Sequence, residues 1–200
     1  MRRVLLAYLT ATRPCEIQFA EADRKKPRLM ALDSSIEFNS SHSGDRGIIV
    51  TGPSPLGVDI ETLERPIDYL RIAEHSFADE EYADIRSARG KSRRMAFLNC
   101  WTGKEAYVKA IGVGLSKPLR SFAVQCAPDE PPGLRWDKDA HTPRAEYRFF
   151  RYTDKDYVLT AVLTNPESVI EPEFHALSPS SLLALRPLES ATGPNWRTSY

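Results

Sequence analysis

Cysteine is scarce in this chain. Its three cysteines in 200 residues, Cys15, Cys100 and Cys126, are odd in number and lack the paired short spacings of a zinc site or a disulfide framework. Charge bias is missing too: Lys and Arg number 27, and so do Asp and Glu. That removes the composition-level case for a nucleic-acid or membrane-surface protein and moves the question to local patches. No apolar run reaches the length of a bilayer span and none has the character of a signal segment. The expectation is therefore a reducing, cytoplasmic setting, with neither membrane nor nucleic acid as partner. What is present is an ordinary globular composition, 42% hydrophobic, enough for one sizeable core or two small ones.

Residues 1–9 read as helix, with Val4, Leu5, Tyr8 and Leu9 on one side, and Pro14 stops it. Residues 16–19 alternate as a strand before the basic turn 24–28. Residues 36–38 resume a strand and run into 39–45, which read as a polar turn ahead of an apolar strand at 47–50. Small hydroxyl residues and glycine leave backbone N–H groups accessible there, and His42 among them can donate to an anion, although a lone histidine in a turn is more often merely exposed. A helix is expected at 68–75 and another at 80–86 with Asp79 as N-cap, Gly90 ending the latter. A long central helix then starts near Ser92 and ends at Gly112-Val-Gly114. Strands follow at 121–126, 134–136, 147–152 and 157–163. After Asn165 prolines recur, with one helical candidate at 178–185 and a free-hanging end beyond about Arg186.

Two stretches carry chemistry. In Leu56-Gly-Val-Asp-Ile-Glu61, a period-two strand sends Leu56, Val58 and Ile60 to one face and both carboxylates, Asp59 and Glu61, to the other. In Phe97-Leu-Asn-Cys-Trp-Thr-Gly-Lys-Glu-Ala-Tyr-Val-Lys109-Ala-Ile111, the residues Phe97, Trp101, Lys104, Val108 and Ile111 recur at helical spacing, while Glu105 and Lys109 share the flank. Neighbouring carboxylates repel, so a fold that adds a third needs a cation or a shared proton to offset the cost. The pairing suggests a hard-metal site. Taken alone, the two acids also fit the solvated face of an edge strand, and Glu105 with Lys109 an ordinary surface helix pair.

Together these stretches resemble the signature of the 4′-phosphopantetheinyl transferases, of the larger monomeric type that serves peptide synthetases and polyketide synthases. The resemblance extends to Lys26-Pro27, to Phe38-Asn-Ser-Ser-His-Ser-Gly44 and to Gly112-Val-Gly-Leu-Ser-Lys-Pro-Leu119, covering residues 3 to about 163. It implies an α+β fold of two similar subdomains in pseudo-twofold arrangement, at about 1–54 and 55–166, followed by a Pro/Ser-rich tail at 167–200, with coenzyme A in the cleft between the subdomains. It also implies transfer of the phosphopantetheine arm of coenzyme A to a serine of an apo carrier protein, releasing 3′,5′-ADP. Asp59, Glu61 and Glu105 are the implied magnesium ligands, an incomplete shell that substrate phosphate would finish. Glu105 is the implied general base, and Lys109 stabilises or protonates the departing phosphate. Lys26, Ser41, His42 and Lys109, with Arg3, are the implied coenzyme A contacts. Trp101 is expected in the core; for Lys104, spacing does not separate packing from an ion pair.

Relatives of this kind carry a few dozen residues ahead of the helix that here starts at Met1, so the first subdomain is expected to be truncated, with exposed pairing edges. A non-catalytic carrier-binding module or inactive homologue is the alternative reading, and a phosphohydrolase using the same acids a weaker third. Arg86, Arg89, Lys91, Arg93 and Arg94 cluster ahead of the central helix, as a rim for an acidic carrier or as a solvated joint.

Overall fold

The computed structural model describes residues 2–20, 28–30, 36–64, 66–139, 146–164, 172, 173 and 175. Helix α1 (Arg2–Leu9) precedes the short strands β1 (Gln18–Ala20) and β2 (Arg28–Met30), which pair with each other. There follow β3 (Glu37–Ser43), β4 (Arg46–Gly52), β5 (Leu56–Thr62), α2 (Tyr69–Ser76), α3 (Asp79–Ser87), α4 (Gly90–Ile111), β6 (Phe122–Val124), β7 (Leu134–Asp137), β8 (Tyr147–Thr153) and β9 (Tyr157–Thr164). The fold is α+β. Two compact units divide the described residues: a small one holds α1 and β1, and a large one holds β3 through β9. The helix expected at 178–185 and the chain end lie outside the described residues.

In the large unit an antiparallel sheet of order β5-β9-β8 packs against α4. Asp59 stands opposite Thr160 and Glu61 opposite Val158 in the β5–β9 register. Every residue from Leu56 to Glu61 is buried, the acids included. That excludes the solvated-edge reading of β5, because both of its faces are covered.

Helix α4 is buried on two sides. Its aromatic side packs Phe97 against Phe77 and Trp101, with ring centroids 5.4 and 6.0 Å away, and Tyr107 against Phe122 at 5.0 Å. Trp101 thus joins the core from its half-buried edge. The other side is built from small residues at four-residue spacing, Thr102, Ala106 and Ala110. Thr102 shares a 2.8 Å hydrogen bond with Thr160 of β9. Gly57 lies against Ala106 and Ala110: a Cβ there would stand 2.1 Å from the Ala106 carbonyl oxygen and 2.5 Å from the Ala110 nitrogen. Strand and helix backbones meet at that point, and only glycine leaves room for it. The apolar stripe read from the sequence is therefore one of two buried faces.

Lys104 is completely buried and paired with the equally buried Glu81 of α3 at 2.8 Å. Its ammonium also donates to the Leu119 and Phe122 carbonyls at 2.7 and 2.6 Å and lies 4.2 Å from the Phe122 ring centre. Glu81 accepts the backbone N–H groups of Ala78 and Val124, each at 2.8 Å. Both charges are thus hydrogen-bonded as well as paired, the condition under which a buried ion pair is tolerated.

Three local expectations are corrected. Asp79 is the first residue of α3 and not its N-cap: Ala78 holds that position, and Glu81 reaches back to its N–H. Gly90 opens α4 at φ +53° instead of closing α3. The α3 end is capped by Arg93, which donates to the Ala88 carbonyl at 2.8 Å and the Arg86 carbonyl at 3.3 Å. Residues 39–43 are strand and not turn; the turn is confined to Gly44, at φ +57°, and Asp45. The polar residues that mimic a turn find partners on β5. At its other end α4 stops as expected, with Gly112 at φ +72° and its N–H on the Val108 carbonyl at 3.1 Å.

Gly57→Ala is expected to destabilise the protein by about 3 kcal/mol or more, beyond ordinary overpacking, because the new methyl meets backbone that cannot rotate away. Gly133→Ala, where nothing lies within 4 Å of the new Cβ, is its control. Equal urea midpoints for the two variants would remove the close approach from the account.

Candidate acidic site

The sheet and α4 bring the predicted acids together. Lys109 donates to Asp59 Oδ1 at 2.7 Å, to the Val58 carbonyl at 3.0 Å and to Ser41 Oγ at 3.4 Å. It therefore reaches across to β5, and not along its own helix to Glu105 as a four-residue pair would. Ser41 donates to the same Asp59 oxygen at 2.8 Å. The second oxygen, Asp59 Oδ2, is buried with no hydrogen-bond partner among the described residues. Ser43 donates to Glu61 Oε2 at 2.8 Å.

Burial governs the electrostatics. It pushes the Asp59 carboxyl up, against Lys109 and Ser41, which favour the charged form; Glu61 adds to the rise. Glu105, half-buried, is also raised, first by burial and then by the negative charge of Asp59, with Lys109 opposing and Glu61 adding. Loss of water outweighs the one neighbouring ammonium at both carboxyls. Asp59 and Glu105 thus each feel the other acids and Lys109 electrostatically, and one buried Asp59 oxygen has no hydrogen-bond partner among the described residues. An oxygen-only donor set of this charge fits a hard divalent cation.

The other predicted residues are placed differently. His42 is exposed on β3 and, with Ser43, Glu61 and Glu64, lines an open groove of about 470 Å³. Arg3 is engaged within the small unit, donating to the Ile17 carbonyl and lying 5.1 Å from the Phe19 ring centre. Lys26 lies outside the described residues. Of the basic cluster, Arg93 caps α3, Arg94 donates to the Leu63 carbonyl at 3.3 Å and Arg86 covers the Tyr82 ring at 5.3 Å, while Arg89 and Lys91 are exposed. Two features escape the sequence reading. Ser43 and Asn39 are site-building residues hidden in the supposed turn. Cys100 and Cys126, far apart in sequence, meet Glu81 with their ligating atoms all within 4.8 Å. Glu81 is already hydrogen-bonded through both oxygens, and burial pushes the Cys100 thiol well up, so this trio is packed core.

The class this arrangement defines is an α+β protein with a centre of buried and half-buried carboxylates beside a lysine. A family model described as the 4′-phosphopantetheinyl transferase superfamily matches residues 55–162, and the chain belongs to that superfamily. It is 37% identical over 120 residues to the 4′-phosphopantetheinyl transferase psf-1 of Bacillus pumilus, covering 60% of this chain and 50% of the relative. To the transferase Sfp of Bacillus subtilis strain 168 it is 34% identical over 128 residues, covering 64% and 55%. A further Bacillus subtilis transferase is 31% identical over 156 residues, covering 77% and 66%. The chain thus spans about half to two thirds of the length of these relatives. Among the described residues no helix is long and apolar enough to cross a membrane.

The raised Glu105 carboxyl has a stability consequence of definite sign. The folded state holds this proton more tightly than the unfolded chain, so its contribution is favourable below the ordinary glutamate value of 4.5 and is lost as pH rises through the raised folded value. Glu105→Gln, neutral throughout, should therefore be more stable than the parent at pH 8 without added metal, with the gap closing towards pH 4. Thermal midpoints across that range test it, and a gap that does not change with pH would refute the assignment.

Proposed function

We propose that this chain transfers the 4′-phosphopantetheine arm of coenzyme A to a serine hydroxyl of an apo carrier protein, with magnesium, releasing 3′,5′-ADP. The observation that carries the reading is the buried Asp59 carboxylate. It is held by Ser41 and Lys109, has one oxygen with no partner among the described residues and interacts electrostatically with Glu61 and Glu105, within the segment that places the chain in its superfamily.

Asp59, Glu61 and Glu105 would hold the magnesium, and the unpartnered Asp59 oxygen fits that role. Bound there, the cation supplies neutralisation of pyrophosphate charge. The chain's own residues do the rest. The serine oxygen forms a bond to the phosphorus that carries the pantetheine arm, the bridging P–O bond breaks, and 3′,5′-ADP leaves with the bridging oxygen. The serine proton passes to Glu105, the general base of this reading. Lys109 meets the leaving phosphate as charge develops on it. Its ammonium has three protons, and the one on Ser41, at 3.4 Å, is the loosest held. Exchanging that contact for a phosphate oxygen leaves the Asp59 pair intact. Ser41 and His42 contribute to coenzyme A binding in this reading; Arg3 and Lys26 have the resemblance alone in support.

The test is incubation of the purified chain with coenzyme A, magnesium and an apo carrier protein, followed by intact mass. A gain of the phosphopantetheine mass is expected. No gain on a carrier that an established transferase modifies would overturn the reading, a stable complex without gain would mark a binding module, and coenzyme A cleavage without transfer a hydrolase. Asp59→Ala and Glu105→Ala should each abolish transfer, and Glu61→Ala should weaken it less, since water can substitute. Lys109→Ala should lower kcat by roughly a hundredfold with a smaller effect on coenzyme A affinity, and Lys109→Arg should rescue part of the loss. Full turnover in folded Lys109→Ala would demote the lysine to a structural role.

A further inference from the structure

Strands β3 and β5 lie side by side in the large unit, yet their backbone ladders run elsewhere, β3 with β4 and β5 with β9. Side chains take the place of a ladder between them. Asn39 Oδ1 accepts the Val58 N–H at 2.9 Å, Ser41 Oγ donates to Asp59, and Ser43 Oγ donates to Glu61 while accepting the Thr62 N–H at 3.2 Å. These are alternate residues of one strand, meeting the other in step, so a single strand face supplies all three contacts. The supposed turn is a polar zipper.

Ser43 has a particular position in it. A serine hydroxyl has one proton to give and lone pairs to receive with. Here the proton goes to the Glu61 carboxylate and a lone pair to the amide of the next residue, Thr62. The hydroxyl is thereby fixed by backbone, and it fixes in turn one oxygen of a side chain with three rotatable bonds.

We propose that Ser43 is a positioning residue that sets the chain's affinity for a divalent cation by holding the Glu61 carboxylate in its binding orientation; this rests on reading Asp59, Glu61 and Glu105 as a cation site. Outer hydrogen-bond partners of metal-binding side chains are commonly worth about 10 to 100-fold in affinity. The hydroxyl acts through Glu61 and does not touch the substrate.

The test is titration of the whole chain with Mn²⁺ in the presence of coenzyme A, free Mn²⁺ being read by electron paramagnetic resonance, for the parent, Ser43→Ala, Ser43→Thr, Glu61→Ala and the Ser43→Ala/Glu61→Ala double variant. Ser43→Ala should weaken Mn²⁺ binding about tenfold or more. Ser43→Thr, which keeps the donor, should bind as the parent does, and the double variant should bind no more weakly than Glu61→Ala alone. Ser43→Cys, of similar size but a poor donor, should follow Ser43→Ala, and thermal midpoints verify folding of each variant. Parent-like binding in Ser43→Ala while Glu61→Ala is weakened overturns the positioning role and leaves the cation site standing. An equal further loss in the Glu61→Ala background overturns action through Glu61. Parent-like binding in Glu61→Ala removes the acid from the cation site and the proposal with it. Absence of carrier modification alongside the expected Mn²⁺ pattern would refute the transferase reading and keep this one.

Discussion

The contact between Gly57 and the Ala106–Ala110 turn of α4 is the constraint on which the site depends. A helix laid on a strand through ordinary side chains is held off by their bulk. Here the absent Cβ and the small helix residues bring the two backbones together, and the neighbours follow. Two residues beyond Gly57 the strand presents Asp59, and one residue before Ala110 the helix presents Lys109, so their 2.7 Å pair follows from the backbone approach. Glu105 comes within the electrostatic reach of Asp59 and Glu61 for the same reason. Glycine therefore acts here as a distance setting between a strand of acids and a helix of counter-groups.

That closeness has an electrostatic cost which the structure only partly offsets. Lys109 opposes the rise at both Asp59 and Glu105, yet burial still raises the two carboxyls. A protein optimised for stability alone would place neutral side chains there. Under the proposed reading the arrangement makes sense, since carboxylates that burial disfavours in the empty protein would serve as ligands once a cation arrives with the reactants. Ser41, Ser43 and Lys109 orient these groups without neutralising them fully.

Much of this was legible in the sequence, and the failures share a cause. The alternation of β5, the spacing of α4 and the glycine at 112 are local signals, and they report element type well. Asp59, Glu61, Glu105 and Lys109 stood out by alternation and helical spacing, and the superfamily those stretches resemble supplied the roles proposed for them. Partners distant in sequence were not. Asn39, Ser41 and Ser43 have the composition of a turn, and the backbone ladder with β4, with their side chains taken up by β5, makes them a strand. Glu81 reads as one of three acids at a helix N-terminus; nothing in its vicinity reveals Lys104. The Lys109–Glu105 pair expected from four-residue spacing lost to Asp59, because a contact across the fold offered two further acceptors, Val58 and Ser41.

The Lys104–Glu81 pair has an evolutionary consequence. It joins α3, α4 and the turn before β6 through two charges that no solvent reaches. Replacing either residue alone strands the other as a buried, uncompensated ion, at a cost of about 3–5 kcal/mol, whereas a matched apolar pair would be nearly neutral. Starting sequence and end point are both viable, and the single-step intermediates between them are not. Such a position resists drift by the absence of a path, so its persistence in a lineage would say little about catalysis. Lys104 sits directly before the glutamate read as the general base, and a strictly maintained Lys-Glu dipeptide here would therefore record two unrelated pressures written side by side.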